Sequence, residues 1–242
     1  MVKAGYPRND IFFKKRLPES DNIHGYEASE IMESKDSRIK PDKKLRLVEE
    51  RTRKKKVLLY APTWRDDEYL GNGFYKCPSR PDFIKLQKEL EDEYIIIVKL
   101  HYLVKLKKGD IPESCIKSGF VRICGNERDI AELYLKADGL ITDYSSVFFD
   151  YAVTEKPMFF FCYDLEAYRD KLRGFYLDFE KVAPGPISSD EEQLAKDIRD
   201  AFGAEREKWQ GKIRDFKNWF NTYDDGKAGE RVLDVIAERM GF

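Results

Sequence analysis

Four short stretches of this chain carry side chains suited to holding a phosphate and moving a proton. Thr63-Trp-Arg-Asp66 offers a hydroxyl, an indole and a guanidinium. Arg65 can meet a phosphate in forked geometry, and Trp64 can stack on a ligand or pack as a structural aromatic. His101 offers an imidazole, the side chain best matched to proton transfer near neutral pH. As an imidazolium it can instead stabilise phosphate charge; as a structural residue it can cap a carbonyl. Asp143-Tyr-Ser-Ser146 brings a carboxylate and two hydroxyls. Lys227 and Arg231 lie one turn apart on one helix face, either as a phosphate clamp or as an ordinary surface helix start.

Those residues need a frame. Ala137 to Thr142 is mostly apolar, as expected of a strand covered on both faces. Asp143 and Tyr144 make a turn, and Ser145 or Ser146 is expected to cap a helix over 147–153 through its hydroxyl. Such a helix start presents free backbone N–H groups and a positive dipole end, a seat for an anion. From Val57 onward the pattern alternates strand and helix, the sign of a parallel α/β layer. Strands are expected at 57–61, 94–100, 120–123, 137–142 and 156–161. Helices are expected at 82–92 (Phe83, Ile84, Leu86 and Leu90 inward), 103–108, 129–136, 191–202, 205–220 and 226–240. Residues 62–81 and 164–186 read as long loops, the second with short helices. In an open parallel sheet, ligands bind beyond the carboxyl ends of the strands. That rule brings Thr63, Trp64, Arg65, His101, Asp143, Ser145 and Ser146 to one edge.

Residues 1–42 read as a connector and 43–242 as a Rossmann-like domain, a parallel sheet with helices on both faces. The basic run Arg51-Thr-Arg-Lys-Lys-Lys56 is a solvated face or a contact for anionic lipid or polymer. With 44 Lys and Arg against 45 Asp and Glu there is no global basic field, so nucleic acid is not an expected partner. Cys77, Cys115, Cys124 and Cys162 are widely spaced and form no CxxC pair, which suits free thiols better than a metal site. No apolar run is long enough to span a bilayer, so any membrane association is expected to be peripheral, on a cytoplasmic protein. The Gly-rich phosphate loops, HExxH and GxSxG are absent. No cofactor is required by this reading, and no ligand cluster demands a divalent metal.

Seven stretches together resemble one family. They are Gly5-Tyr-Pro-Arg-Asn-Asp10, Leu59-Tyr-Ala-Pro-Thr-Trp-Arg-Asp-Asp67, Lys99-Leu-His101, Thr142-Asp-Tyr-Ser-Ser-Val-Phe-Phe-Asp150, Arg173-Gly-Phe-Tyr176, Pro184-Gly-Pro186 and Asp225-Gly-Lys-Ala-Gly-Glu-Arg231. In this order they are similar to the CDP-glycerol glycerophosphotransferases, which build the poly(glycerol phosphate) of teichoic acids. The resemblance spans nearly the whole chain and implies the C-terminal, donor-binding half of a GT-B-like fold. It implies donor diphosphate contacts near Ser145, Ser146 and the Lys227–Arg231 helix, with Arg173 among the substrate contacts, and a functional role for His101. It implies transfer of glycerol phosphate, or a related polyol phosphate, from CDP-glycerol to a hydroxyl of a growing polyanionic polymer, with CMP leaving. The family also has a preceding half that carries another histidine. The expectation is therefore a piece of a longer protein, or a chain completed by a partner.

Two other readings compete. A GT-B glycosyltransferase using a sugar nucleotide would set a carboxylate, Asp143 or Glu180, on the ribose. A non-catalytic module would bind nucleotide, polymer or an anionic membrane, with Arg51–Lys56 or the aromatic helix 205–220 as its contact.

Overall fold

The computed structural model describes residues 3–14, 55–77, 81–125, 129–172 and 174–241. In chain order its strands are β1 (Lys56–Tyr60), β2 (Tyr69–Gly71), β3 (Phe74–Lys76), β4 (Tyr94–Val98), β5 (Val104–Lys105), β6 (Val121–Ile123), β7 (Gly139–Thr142), β8 (Met158–Phe161) and β9 (Ile187–Ser188). The helices are α1 (Phe83–Leu90), α2 (Glu113–Lys117), α3 (Ile130–Lys136), α4 (Val147–Tyr151), α5 (Leu165–Ala167), α6 (Phe179–Val182), α7 (Glu191–Phe202), α8 (Arg206–Phe220) and α9 (Ala228–Met240).

Six strands form one parallel sheet in the order β6-β4-β1-β7-β8-β9. Counted along the chain, that is 3-2-1-4-5-6, the doubly wound order whose switch point falls between the first and fourth strands. Strand alternation then sorts the core. Leu58, Tyr60, Ile96, Val98, Ile141 and Phe159 point to the face covered by α1, α2 and α7. Leu59, Ile97, Leu140, Met158 and Phe160 point to the face covered by α3, α4, α6 and α8. The central strands are therefore apolar apart from Lys56 at the start of β1 and Thr142 at the end of β7, because both faces are buried. Each such side chain contributes roughly 1.5–3 kcal/mol.

Local chemistry starts the helices. Asp82 accepts from the N–H groups of Ile84 and Lys85 at 2.9 and 3.2 Å, Asp129 from Ala131 at 2.9 Å, and Asp190 from Gln193 at 2.9 Å. Each satisfies orphan donors of a first turn. The amphipathic face of α1 buries Phe83, Leu86 and Leu90, but Ile84 is exposed and does not join them as expected.

Several expectations fail for identifiable reasons. The stretch after β1 is not all loop. β2 and β3 form a hairpin whose tip has Asn72 and Gly73 at positive φ, 53° and 80°. Asn-Gly is the pairing that such tight hairpin turns favour. Residues 103–108 contain no helix; Val104–Lys105 pairs with β3 instead, completing a three-stranded sheet. The short elements α2 and β9 are additional. Neither serine caps α4 through its side chain; Ser146 sits at the cap with helical φ and ψ, a geometry in which the hydroxyl does not reach back. That helix ends at Tyr151 and a 3-10 turn follows, Ala152–Thr154.

The boundary at residue 42 also needs revision where the structure describes the segment. Pro7–Phe13 is a 3-10 helix packed against α3 and α9, and Asn9 is only 1% exposed. Asn9 Nδ2 donates to Asp224 at 2.8 Å, and the Tyr6 N–H donates to the same carboxylate at 2.7 Å. Residues 3–14 therefore belong to the domain. Arg51–Arg53 and Lys54 of the basic run lie outside the described residues. Lys55 Nζ donates to the Glu91 carbonyl, and Lys56 Nζ lies over the rings of Tyr94 and Phe202 at 5.6 and 5.4 Å. Those two lysines are engaged within their own domain.

Candidate functional site

A cavity of about 290 Å³ opens beyond the carboxyl ends of β1, β4 and β7, at the switch point of the sheet. Thr63 and Trp64 come to its wall from the loop after β1, Lys99 and His101 from the loop after β4, and Ser145 and Val147 from the start of α4. The parallel register explains the convergence. Leu58 pairs with Ile96 on one side and Gly139 on the other, so the three strands end at one level.

One carboxylate ties two of those loops. Asp143 Oδ1 accepts from the Thr63 N–H at 2.8 Å and from the Ser145 N–H at 3.2 Å. Its Oδ2 accepts from Arg65 Nη1 at 2.9 Å, and that nitrogen also donates to the Thr63 carbonyl at 2.9 Å. Both side chains are 4% exposed. The other edge of the guanidinium forks onto Asp164, which also accepts from the Tyr144 hydroxyl at 3.0 Å. The rings of Tyr144, Tyr163 and Tyr168 lie 5.2 to 5.7 Å from the guanidinium carbon. Burial pulls the Arg65 pKa down, but Asp143 and Asp164 more than offset it, so the group is held above its ordinary value and stays charged. Burial pushes the Asp143 carboxyl up, with Arg65 and the Thr63 N–H pulling the other way. Arg65 was expected to face a phosphate. Its fork is instead engaged by Asp164, behind the cavity wall.

His101 is half-buried, with Trp64 at 4.2 Å and Tyr102 at 4.3 Å between ring centroids, tilted 36° and 32°. Its Nδ1 accepts from the Leu103 N–H at 3.3 Å. Desolvation, and then the positive charge of Lys99, hold its pKa below the ordinary histidine value. Lys99 Nζ donates to the Gly125 carbonyl at 2.7 Å and brings a cation to the cavity.

The structure thus brings Thr63, Trp64, His101 and Ser145 to one cavity, with Asp143 and Arg65 directly behind. Ser146 heads α4. Arg173 lies outside the described residues. Lys227 and Arg231 start α9, where the anion seat is filled by the chain itself. The Asp10 carboxylate accepts from the N–H groups of Ala228 and Gly229 at 3.0 and 2.7 Å. Arg231 donates to the Ala4 and Tyr223 carbonyls and to both oxygens of Asp225. Of the clamp expected there, the Arg231 side chain holds Asp225, and Lys227 meets the same carboxylate through its backbone N–H at 3.0 Å. Glu180, the alternative ribose ligand, pairs with Arg169 at 3.8 Å with its side chain 59% exposed.

Sequence reasoning missed Lys99 as a wall residue, although Lys99-x-His101 is a detectable pair. It missed Tyr102 beside the imidazole and Asp164 beneath Arg65. All four cysteines are buried free thiols. Among the described residues no group of three His, Cys, Asp or Glu side chains could hold a metal ion, and no helix is long and apolar enough to cross a membrane.

Comparisons with known proteins bear on the family and the fold. The family model described as CDP-Glycerol:Poly(glycerophosphate) glycerophosphotransferase matches residues 1–238. A teichoic acid poly(glycerol phosphate) polymerase of Bacillus subtilis (strain 168) is 39% identical over 236 residues, 98% of this chain and 28% of that protein. A teichoic acid glycerol-phosphate transferase of Staphylococcus aureus (strain NCTC 8325) is 35% identical over 236 residues, 98% of this chain and 54% of that protein. The solved wall teichoic acid polymerase TagF superposes with a TM-score of 0.69 at 34% identity, covering 99% of this chain and 52% of that one. TagF has also been solved after soaking with CDPG, at a TM-score of 0.68. The chain thus spans between about a quarter and just over half the length of these relatives. A UDP-N-acetylglucosamine 2-epimerase from Listeria monocytogenes shares the fold at 14% identity and a TM-score of 0.51.

Proposed function

The chain belongs to the CDP-glycerol:poly(glycerophosphate) glycerophosphotransferase family, and from that premise we propose that it is the donor-binding half of such an enzyme. The single observation that carries the proposal is the convergence of Thr63, Trp64, Lys99, His101 and Ser145 on one cavity at the switch point of the sheet. Hydroxyls, an imidazole and an ammonium there suit a diphosphate, and the position is where doubly wound sheets hold nucleotides.

In the proposed reaction a hydroxyl of the acceptor polymer attacks the β-phosphorus of CDP-glycerol in line. A new P–O bond forms to the acceptor, the bond to the CMP phosphate oxygen breaks, and CMP carries away the electron pair. A base supplied outside this chain takes the hydroxyl proton, in the half of the relatives that this chain does not span. Phosphoryl transfer rests mostly on position and charge. His101, Lys99, the Ser145 hydroxyl and the backbone at the start of α4 face the phosphates. Asp143 and Arg65 fix the loops that present them. The proposal carries a cytoplasmic location, peripheral to the inner membrane face, with a polyanionic polyol-phosphate polymer as acceptor and no metal step.

The sugar-nucleotide reading loses its support in the site. Asp143 is spent on Arg65, Thr63 and Ser145, and Glu180 pairs with Arg169 at the surface. Calorimetric titration with CDP-glycerol, CMP and UDP-glucose tests the choice. Saturable CDP-glycerol binding, weakened by Ser145→Ala, is expected. Preference for UDP-glucose would overturn the proposal.

A further inference from the structure

Residues 5–10, Asp150 and residues 225–231 belong to the stretches singled out in the sequence, yet none of them lines the cavity at the switch point. The fold brings all three together around α4. The head of that helix, at Ser145 and Val147, is cavity wall. Its tail, roughly 8 Å further along the axis, is held from outside. Arg8 Nε and Nη2 both donate to Asp150 Oδ1, at 3.1 and 2.9 Å. The Arg8 guanidinium carbon also lies 4.8 Å from the centre of the Tyr6 ring, so the cation sits between a carboxylate and an aromatic face. Asn221 Nδ2 donates to the Phe149 carbonyl at 3.1 Å and to Asp224 Oδ2 at 2.9 Å. Asp224 is the carboxylate that gathers Asn9 and the Tyr6 N–H. Pro7–Phe13 is tied in turn to α9 through Asp10, and Arg231 reaches back to the Ala4 carbonyl at 3.0 Å.

We infer that Arg8 is a positioning residue for the donor: through Asp150 and α4 it sets Ser145 against the phosphates, so that docking of Pro7–Phe13 and donor binding stabilise each other. The inference rests on the donor-site reading and adds a remote control to it. α4 is only five residues long, so a shift of its tail carries its head along. The two states are the docked and the released 3-10 helix. The bonds to Asp150, Asp224, Ala228 and Gly229 exist only in the docked one. A donor that binds better to the docked state must favour docking by the same factor. Opposite charges on Arg8 and Asp150 separate position from field. A field acting on an anionic ligand predicts weaker binding without Arg8 and tighter binding without Asp150. Positioning predicts weaker binding in both cases.

The test titrates the whole chain with CDP-glycerol in a calorimeter, as parent, Arg8→Ala, Asp150→Asn and the double variant. The Arg8 side chain is 64% exposed, so its removal leaves the fold standing. Each single variant should weaken binding about fivefold and the double variant no further, because the pair acts as a unit. A point charge suffices for the single oxygen that Arg8 meets, so Arg8→Lys should stay within about twofold of the parent. In the ligand-free chain, Arg8→Ala should shift the amide resonances of Ser145 and Ser146. In the parent, CDP-glycerol should slow hydrogen exchange at Tyr6, Ala228 and Gly229, whose N–H groups close onto Asp224 and Asp10 outside the cavity. Tighter binding by Asp150→Asn, summed losses in the double variant, or exchange at those three amides untouched by CDP-glycerol would overturn the inference. Unmoved Ser145 and Ser146 resonances would overturn it without any ligand present. Failure of the folded parent chain to bind CDP-glycerol would overturn the donor reading separately.

Discussion

Arg65 and Asp164 meet through two parallel hydrogen bonds, Nε to Oδ2 at 2.9 Å and Nη2 to Oδ1 at 3.1 Å. The guanidinium continues to Asp143, so one buried cation joins the loops after β1, β7 and β8. Breaking a buried ion pair from one side leaves charge stranded, at about 3–5 kcal/mol. Arg65→Met should lower unfolding stability by that amount in urea. Arg65→Lys should recover part of the charge but not the fork. Equal stability of Arg65→Met and the parent chain would show that the cluster holds nothing.

The lowered His101 pKa has a sign. A histidine whose folded pKa lies below its unfolded one binds fewer protons when folded. Its contribution to stability is complete above the unfolded value and is lost as pH falls through the folded one. An NMR titration of His101 should show a midpoint below the ordinary histidine value. A midpoint above it would contradict the desolvated, Lys99-facing ring.

Asp10 caps α9 from more than two hundred residues away. Asp10→Ala should cost about 1 kcal/mol, the usual loss of a cap and a dipole partner. Hydrogen exchange should speed up in the first turn of α9. CDP-glycerol affinity should stay unchanged in Lys227→Ala, because the anion seat of that helix already holds Asp10. A tenfold loss of affinity would restore the clamp that the sequence suggested.

Gly185 lies where no side chain fits. A Cβ there would sit 1.9 Å from the Met158 carbonyl oxygen, at the start of β8. Gly185→Ala should destabilise by about 3 kcal/mol or more, the upper end of overpacking costs. A thermal melt within about a degree of the parent chain would refute the close approach. Gly5 is similar, with φ at +82° and a Cβ position 2.3 Å from the Tyr223 carbonyl oxygen.

The parts of the fold that were legible are those governed by local pattern. Continuous apolar runs at β4, β7 and β8 and the spacing in α7 and α8 announce buried strands and amphipathic helices. The strand ends then place His101 and Ser145 together without any contact information. The hairpin was read as loop: Gly71-Asn-Gly73 carries a turn signal, but the strands beside it are short and do not alternate cleanly. What stayed hidden depends on partners distant in sequence. Nothing near Arg65 reveals Asp164, 99 residues on, so a buried structural cation looks like a phosphate ligand. Nothing near Lys227 reveals Asp10, so a filled anion seat looks empty.

The docking of Pro7–Phe13 on α9 bears on how the protein is made. Asn9, Asp10 and Tyr6 wait for Asp224, Ala228 and Gly229, separated from them by 215 to 219 residues. Contacts so remote in sequence form late, because a long loop must close before they can stabilise it. During synthesis the six-stranded sheet can assemble first, while Pro7–Phe13 stays undocked until the start of α9 has left the ribosome. A chain stopped before residue 221 would therefore leave Asn9 without its carboxylate and the sheet without the strap that joins Pro7–Phe13 to α9.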